Sequence, residues 1–145
     1  MPIEILLVED HPGDVRLTRE AFRDFNEEVR LYVASDGAEA IAYLRREGKH
    51  IGAPRPDIVL LDLILPKMDG REVLAVIKED KYLKMIPVVV LTTSESEADV
   101  NVSYRLHANC YLRKPTNWDA FDGIVRSIND FWLTKTRLPK EVATR

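Results

Sequence analysis

Five short apolar runs, each ended by a polar or turn-forming residue, recur along the chain between longer amphipathic stretches. The first, Ile3–Val8 (IEILLV), stops at the turn cluster Glu9-Asp10-His11-Pro12-Gly13. From Asp14 the apolar positions Val15, Ala21, Phe22 and Phe25 fall at helical spacing. Val29, Leu31 and Val33 alternate with Arg30 and Tyr32, the pattern of a half-buried strand. Asp36-Gly37 then opens a helix with Ala40, Ile41 and Leu44 on one face, followed by a loop over residues 48–56 with two Gly and two Pro. Ile58–Leu61 is apolar without alternation, as a parallel strand covered on both faces must be. The turn Pro66…Asp69-Gly70 leads to a third helix carrying Val73, Leu74, Val76 and Ile77. A β-branched run over 87–91, a polar helix over 96–106 and a short strand over 108–112 follow. The last helix starts near Asn117 and repeats Trp118, Phe121, Ile124, Val125, Ile128, Phe131 and Trp132 at steps of three and four. This alternation predicts an α/β fold: a doubly wound, five-stranded parallel sheet with five helices on its two faces.

At 145 residues the chain has room for one domain, and a domain of that size buries about 70% of its unfolded surface without covalent staples. A single cysteine, Cys110, allows no intrachain disulfide and fits a reducing, cytoplasmic setting; as the start of a buried strand it reads as a small core residue. With 21 basic against 24 acidic residues, no general positive field draws the chain to nucleic acid or anionic lipid. Its apolar runs fall far short of the roughly 20 residues of a membrane span, and the start lacks a signal-peptide pattern.

Ligands of doubly wound sheets bind beyond the carboxyl ends of the strands. Those ends carry Glu9 and Asp10, Asp62, Thr92 and Lys114, residues that no local structure could gather. Three carboxylates against one ammonium leave excess negative charge, which calls for a cation. A hard divalent ion such as Mg²⁺ suits oxygen ligands of this kind, and a hydroxyl with an ammonium suits phosphoryl oxygens. The chemistry implied is phosphoryl transfer, in which a protein mainly positions groups and neutralises charge.

Over residues 3 to about 133 the sequence resembles the receiver domain of two-component response regulators. The matching motifs are ILLVED (5–10), IVLLDLILPKMDG (58–70), IPVVVLTTS (86–94) and CYLRKP (110–115). The resemblance implies a flavodoxin-like sheet in the order 2-1-3-4-5 and a signalling protein rather than an enzyme. It makes Asp62 the acceptor of a phosphoryl group from a histidine kinase. It also implies a Mg²⁺ site made by Glu9, Asp10, Asp62 and the backbone carbonyl of Ile64, Asp10 directly and Glu9 largely through water. Lys114 is expected to pair with Asp62 and then with the phosphoryl group. Thr92 is expected to swing toward that group, leaving space into which Tyr111 turns.

Plainer readings stand beside these. Asp62 could cap a turn, Tyr111 could be a fixed core aromatic, and Thr93 stands next to Thr92, although counting from Pro87 favours Thr92. His11, His50 and His107 lack metal-like spacing and read as surface residues, and Trp118 and Trp132 read as packing residues. An aspartate-nucleophile phosphatase would need a second Asp two residues after the first, where Ile64 stands. A flavodoxin-like electron carrier would need a phosphate loop where Glu9-Asp10 would repel phosphate, and no GxGxxG or P-loop occurs. The surviving alternative is a degenerate receiver that acts only as a binding module.

The long loop at 48–56, the FWL at 131–133 and the Leu138-Pro139 tail resemble the stand-alone regulators that serve phytochrome histidine kinases. On this reading residues 1–133 are the receiver and 134–145 an extension too short for an output domain. Signalling is then by protein contact, with a homodimer expected through the last helix and the tail. Positions two past the acceptor and two past the threonine are Ile64 and Ser94, neither suited to holding a hydrolytic water, so a long-lived phosphoprotein is expected.

Overall fold

Each strand feeds two cores, because successive side chains leave a strand on opposite faces. The computed structural model describes residues 2–25 and 28–140. Strands β1 (Ile3–Val8), β2 (Val29–Ala34), β3 (Ile58–Leu61), β4 (Val88–Thr92) and β5 (Cys110–Arg113) alternate with helices α1 (Pro12–Phe25), α2 (Gly37–Leu44), α3 (Gly70–Glu79), α4 (Glu97–Arg105) and α5 (Trp118–Ile128). The strands form one parallel sheet in the order β2-β1-β3-β4-β5, as expected, with Leu7 beside Leu60 and Leu61 beside Val90. Leu6, Val8, Val59, Leu61, Val88 and Val90 pack with Ile41, Leu44, Val73, Leu74 and Ile77 of α2 and α3. Their neighbours Ile5, Leu7, Ile58, Leu60, Val89 and Leu91 face Ala21 and Phe22 of α1 and Phe121, Val125 and Ile128 of α5. All four residues of β3 are buried, which explains its lack of alternation.

The turn residues read in the sequence act as caps. Side-chain oxygens of Asp36, Asp69, Ser96 and Asn117 accept backbone N–H bonds from Glu39, Arg71, Asp99 and Ala120. Caps of this type contribute about 1 kcal/mol each. Helix α1 begins at Pro12, two residues before the expected start, because proline has no N–H to lose in a first turn. Strand β5 begins at Cys110 rather than 108, with Ala108 buried ahead of it.

Several expectations change. Cys110 is only partly buried and packs at the margin of the α1–α5 core. His50 is not a surface residue: its side chain is 16% exposed and its ring lies edge-on to Tyr43, with centroids 5.3 Å apart. Trp118 is exposed, while Trp132 packs against the core. The last helix also changes pitch, widening into a π-helix over Asn129–Lys135. There Thr136 N–H donates to Phe131 O at 3.0 Å and the Thr134 hydroxyl to Asn129 O at 2.9 Å. The wide turn sets Trp132 and Leu133 against the core and leaves Phe131 exposed. The side chain of Phe25 and residues 141–145 of the extension lie outside the described residues. Among the described residues no helix is long and apolar enough to cross a membrane.

Gly70 lies where α3 meets the end of β3, and a Cβ there would fall 2.3 Å from Asp62 O and 2.4 Å from Leu63 Cα. Gly70→Ala is therefore expected to destabilise by about 1–3 kcal/mol through overpacking. Gly123→Ala, with nothing within 4 Å of the added carbon, is expected to stabilise the helix by about 0.5–1 kcal/mol. Urea unfolding of both variants checks the contrast, and equal midpoints would refute it.

Candidate functional site

Parallel pairing sets the carboxyl ends of β1, β3 and β4 side by side, and the loop after β5 brings Lys114 to them. Glu9, Asp62, Thr92 and Lys114 are all buried there. The Asp62 carboxylate is held at both oxygens. Its Oδ1 accepts from the Thr92 hydroxyl at 2.8 Å and from Ile64 N–H at 3.1 Å, and its Oδ2 accepts from Lys114 Nζ at 2.9 Å. Lys114 Nζ also donates to Glu9 Oε2 at 2.6 Å and to Asp14 Oδ2 at 2.8 Å.

An ammonium has three donors, and here each meets a carboxylate. Burial works to lower the Lys114 pKa, but the hydrogen bonds to Asp14, Glu9 and Asp62 more than reverse this and hold it above its ordinary value. Burial pushes the Glu9 carboxyl up to about 7, with Asp62 adding to the rise and the Lys114 hydrogen bond opposing it. Glu9 Oε1 meanwhile accepts from His11 N–H at 3.1 Å.

Four of the expected site residues thus meet in one buried cluster. Thr92, not Thr93, reaches Asp62; Thr93 is exposed. Asp10 and Ile64 are exposed, and Ile64 joins the cluster through its N–H alone. Asp14 is the member that the sequence reading missed. Its signal was present, an acid in the first turn of a helix, but that position also serves the helix dipole, and Lys114 lies 100 residues away.

A divalent cation would find a suitable donor set of hard carboxylate oxygens in excess over the single ammonium. Among the described residues, however, no three acidic, His or Cys groups are gathered as a ready coordination shell. Lys114 already pairs with Glu9 and Asp62, so a bound cation would compete with it for those carboxylates.

From this cluster a second chain of contacts runs outward. Tyr111 OH donates to Ser94 O at 2.8 Å, and Tyr111 N–H donates to Tyr104 Oη at 3.1 Å. Thr92 thus faces Asp62, and the Tyr111 hydroxyl faces the loop that follows β4. The Ser94 hydroxyl is committed to Asp99 Oδ2 at 2.5 Å. Arg71 joins Asp69, the cap of α3, to Asp99 in the first turn of α4. Ser94 and Arg71 together hold the Asp99 carboxyl below the usual carboxylate range.

The profile of the response regulator receiver domain matches residues 5–126. Response regulator Rcp1 of Synechocystis sp. is 49% identical over 138 residues, covering 95% of this chain and 94% of Rcp1. The crystal structure of the Mn²⁺-bound form of Rcp1 superposes with a TM-score of 0.92 over 96% of this chain and 100% of that one, at 49% identity. The phosphorylated cyanobacterial phytochrome response regulator RcpA superposes with a TM-score of 0.94 over 97% of this chain and 100% of that one, at 50% identity.

Because the folded pKa of Glu9 is raised above its unfolded value of 4.5, its contribution to stability is present below that pH and lost as pH rises through about 7. Metal-free protein is therefore expected to lose on the order of 1–3 kcal/mol between pH 4.5 and 8 from this group. Urea titrations of the parent chain and Glu9→Gln should show that the variant lacks this part of the slope. Parallel curves would refute the assignment.

Proposed function

The chain belongs to the response regulator receiver family, and on that footing we propose that Asp62 takes a phosphoryl group from a phosphohistidine on a histidine kinase of the phytochrome type. The observation that carries this reading is the buried Asp62 carboxylate, held between Thr92, Ile64 N–H and Lys114. A carboxylate oxygen of Asp62 attacks phosphorus, an O–P bond forms, and the P–N bond breaks with its electron pair returning to the imidazole. Receiver domains bind a divalent cation, and here the ion is taken to be Mg²⁺, held by Asp10, Asp62 and the Ile64 carbonyl, with Glu9 acting through water. Once bound, that ion neutralises charge on the transferring group. Lys114 and Thr92 each place a donor beside Asp62, where phosphoryl oxygens would collect.

Tyr111 connects the site to the surface. Its bond to Ser94 O ties β5 to the loop that follows Thr92, so a shift of Thr92 is felt where α4 and β5 meet solvent. With Ser94 Oγ held by Asp99 and Ile64 60% exposed, neither side chain is disposed to orient a hydrolytic water, in keeping with a long-lived phosphoryl group. Output is by contact with another protein rather than by chemistry on a small molecule, in the cytoplasm. The rival reading, a degenerate receiver used only for binding, has against it that the acidic, hydroxyl and ammonium positions are all filled, with Glu9, Asp62, Thr92 and Lys114 joined in one hydrogen-bonded cluster. Incubation with acetyl phosphate and Mg²⁺ is expected to add the mass of one phosphoryl group to the parent chain and none to Asp62→Asn. No gain in the parent would favour the rival.

Residues 1–133 are taken as the receiver and 134–145 as an extension that helps to form a homodimer. Phe131, 55% exposed on the π-helical turn, supports this use of the last helix. Within the extension, Lys140 Nζ lies 3.2 Å from Asp57 Oδ1, whose other oxygen accepts from Glu4 N–H. Sedimentation at micromolar concentration is expected to give a dimer for the full chain and a monomer after truncation behind Leu133. A monomeric full chain would overturn this.

A further inference from the structure

Lys114 has one carboxylate partner that the phosphoryl-transfer reading leaves without a role. Asp14 stands in the first turn of α1, on neither of the strands that supply Glu9 and Asp62, and its Oδ2 is 2.8 Å from Lys114 Nζ. Its side chain is 25% exposed, against 5% for Lys114, so it meets the ammonium from the solvent side of the cluster. Both residues line a cleft of about 340 Å³ between α1 and the start of α5, together with His11, Trp118 and Phe121.

We infer that Asp14 is a positioning residue, which holds the Lys114 ammonium beside the acceptor while its other two partners change. The inference rests on the acceptor reading of Asp62. Both other carboxylates are called away during the reaction that this reading describes. Asp62 gives up charge when one of its oxygens is esterified, and Glu9 is drawn toward the cation and its water. Without Asp14, two of the three N–H donors of a long, flexible side chain would lose their partners at the step when the lysine must face phosphoryl oxygens. Asp14 has no part in the cation's donor set and stands on a different element, so its bond can persist through that exchange. It also opposes the cost of burying the ammonium, since a buried charge that loses its partners is strongly destabilising.

The backbone around Asp14 is secured independently. Asp14 N–H donates to His11 Nδ1 at 3.1 Å and Asp14 O accepts from the Thr18 hydroxyl at 2.7 Å, so Asp14→Asn keeps the helix start and removes only the charge. The primary readout is the ¹⁵N-detected ammonium resonance of Lys114 in Mg²⁺-saturated, unphosphorylated protein, where the cation competes for Glu9 and Asp62. It is expected to be sharp and slowly exchanging in the parent chain, broadened beyond detection in Asp14→Asn, and partly restored in Asp14→Glu. The second readout is phosphorylation by acetyl phosphate with saturating Mg²⁺, at a temperature where circular dichroism shows all variants folded. The maximal rate is expected to fall about tenfold in Asp14→Asn, with the concentration giving half that rate changed less than twofold. An ordinary surface ion pair would lower thermal stability and leave both readouts unchanged, and that result overturns the proposal. Loss of the resonance with an unchanged rate overturns it equally, as does a lowered rate with the resonance intact. If the parent chain itself takes no phosphoryl group, the acceptor reading fails, and the resonance alone then decides whether Asp14 holds Lys114.

Discussion

One buried ammonium organises the functional end of this molecule. Lys114 Nζ contacts carboxylates that enter from the end of β1, the first turn of α1 and the end of β3. No one of these segments could hold the others. Glu9 and Asp62 would repel at the close quarters that parallel pairing imposes, and an isolated ammonium would resist burial. Together they satisfy one another. The site is thereby preformed and under electrostatic tension, with more negative charge than one lysine can neutralise. That imbalance is what suits this end of the sheet to a cation.

The same end of the sheet connects to the surface through backbone rather than through a long side-chain relay. Thr92 is the last residue of β4, and the loop beyond it carries the carbonyl that receives the Tyr111 hydroxyl. Arg71 ties the starts of α3 and α4 through Asp69 and Asp99, and Ser94 is bonded to the same Asp99. The β3–α3 loop and the β4–α4 loop are therefore both tied to Asp99. The contacts that lead out from Thr92 run toward α4 and β5, whereas α2 packs on the far flank of the sheet beside β2 and α3.

Legibility followed the reach of the interactions. Strand β3 was readable because four consecutive apolar residues have few other uses, and α2, α3 and α4 because their caps are local chemistry. Glu9, Asp62, Thr92 and Lys114 were readable because polar residues that end apolar strands have a restricted set of roles. Asp14 was not, since an acid in a first helical turn is expected for the dipole alone. The π-helical turn escaped for a related reason: the apolar spacing of Phe131, Trp132 and Leu133 suits an ordinary helix, and only packing shows which of the three is left exposed. His50 was misread as a surface residue because a single histidine in a Gly- and Pro-rich loop carries no periodic signal, and its neighbour Tyr43 belongs to another element.

By itself, the sequence determined the alternation of strands and helices, the parallel sheet, and the polar residues standing at the strand ends. These follow from periodicity, capping and the cost of an unpaired charge after an apolar run, all of which act over a few residues. Tertiary structure alone decided that Lys114 would have three partners rather than one, that Asp10 would be exposed while Glu9 is buried, and that Arg71 would join two helices. Those outcomes depend on distances between segments up to about 100 residues apart. Charge pairing at such separation is settled by which strands lie side by side and by how much water their packing removes.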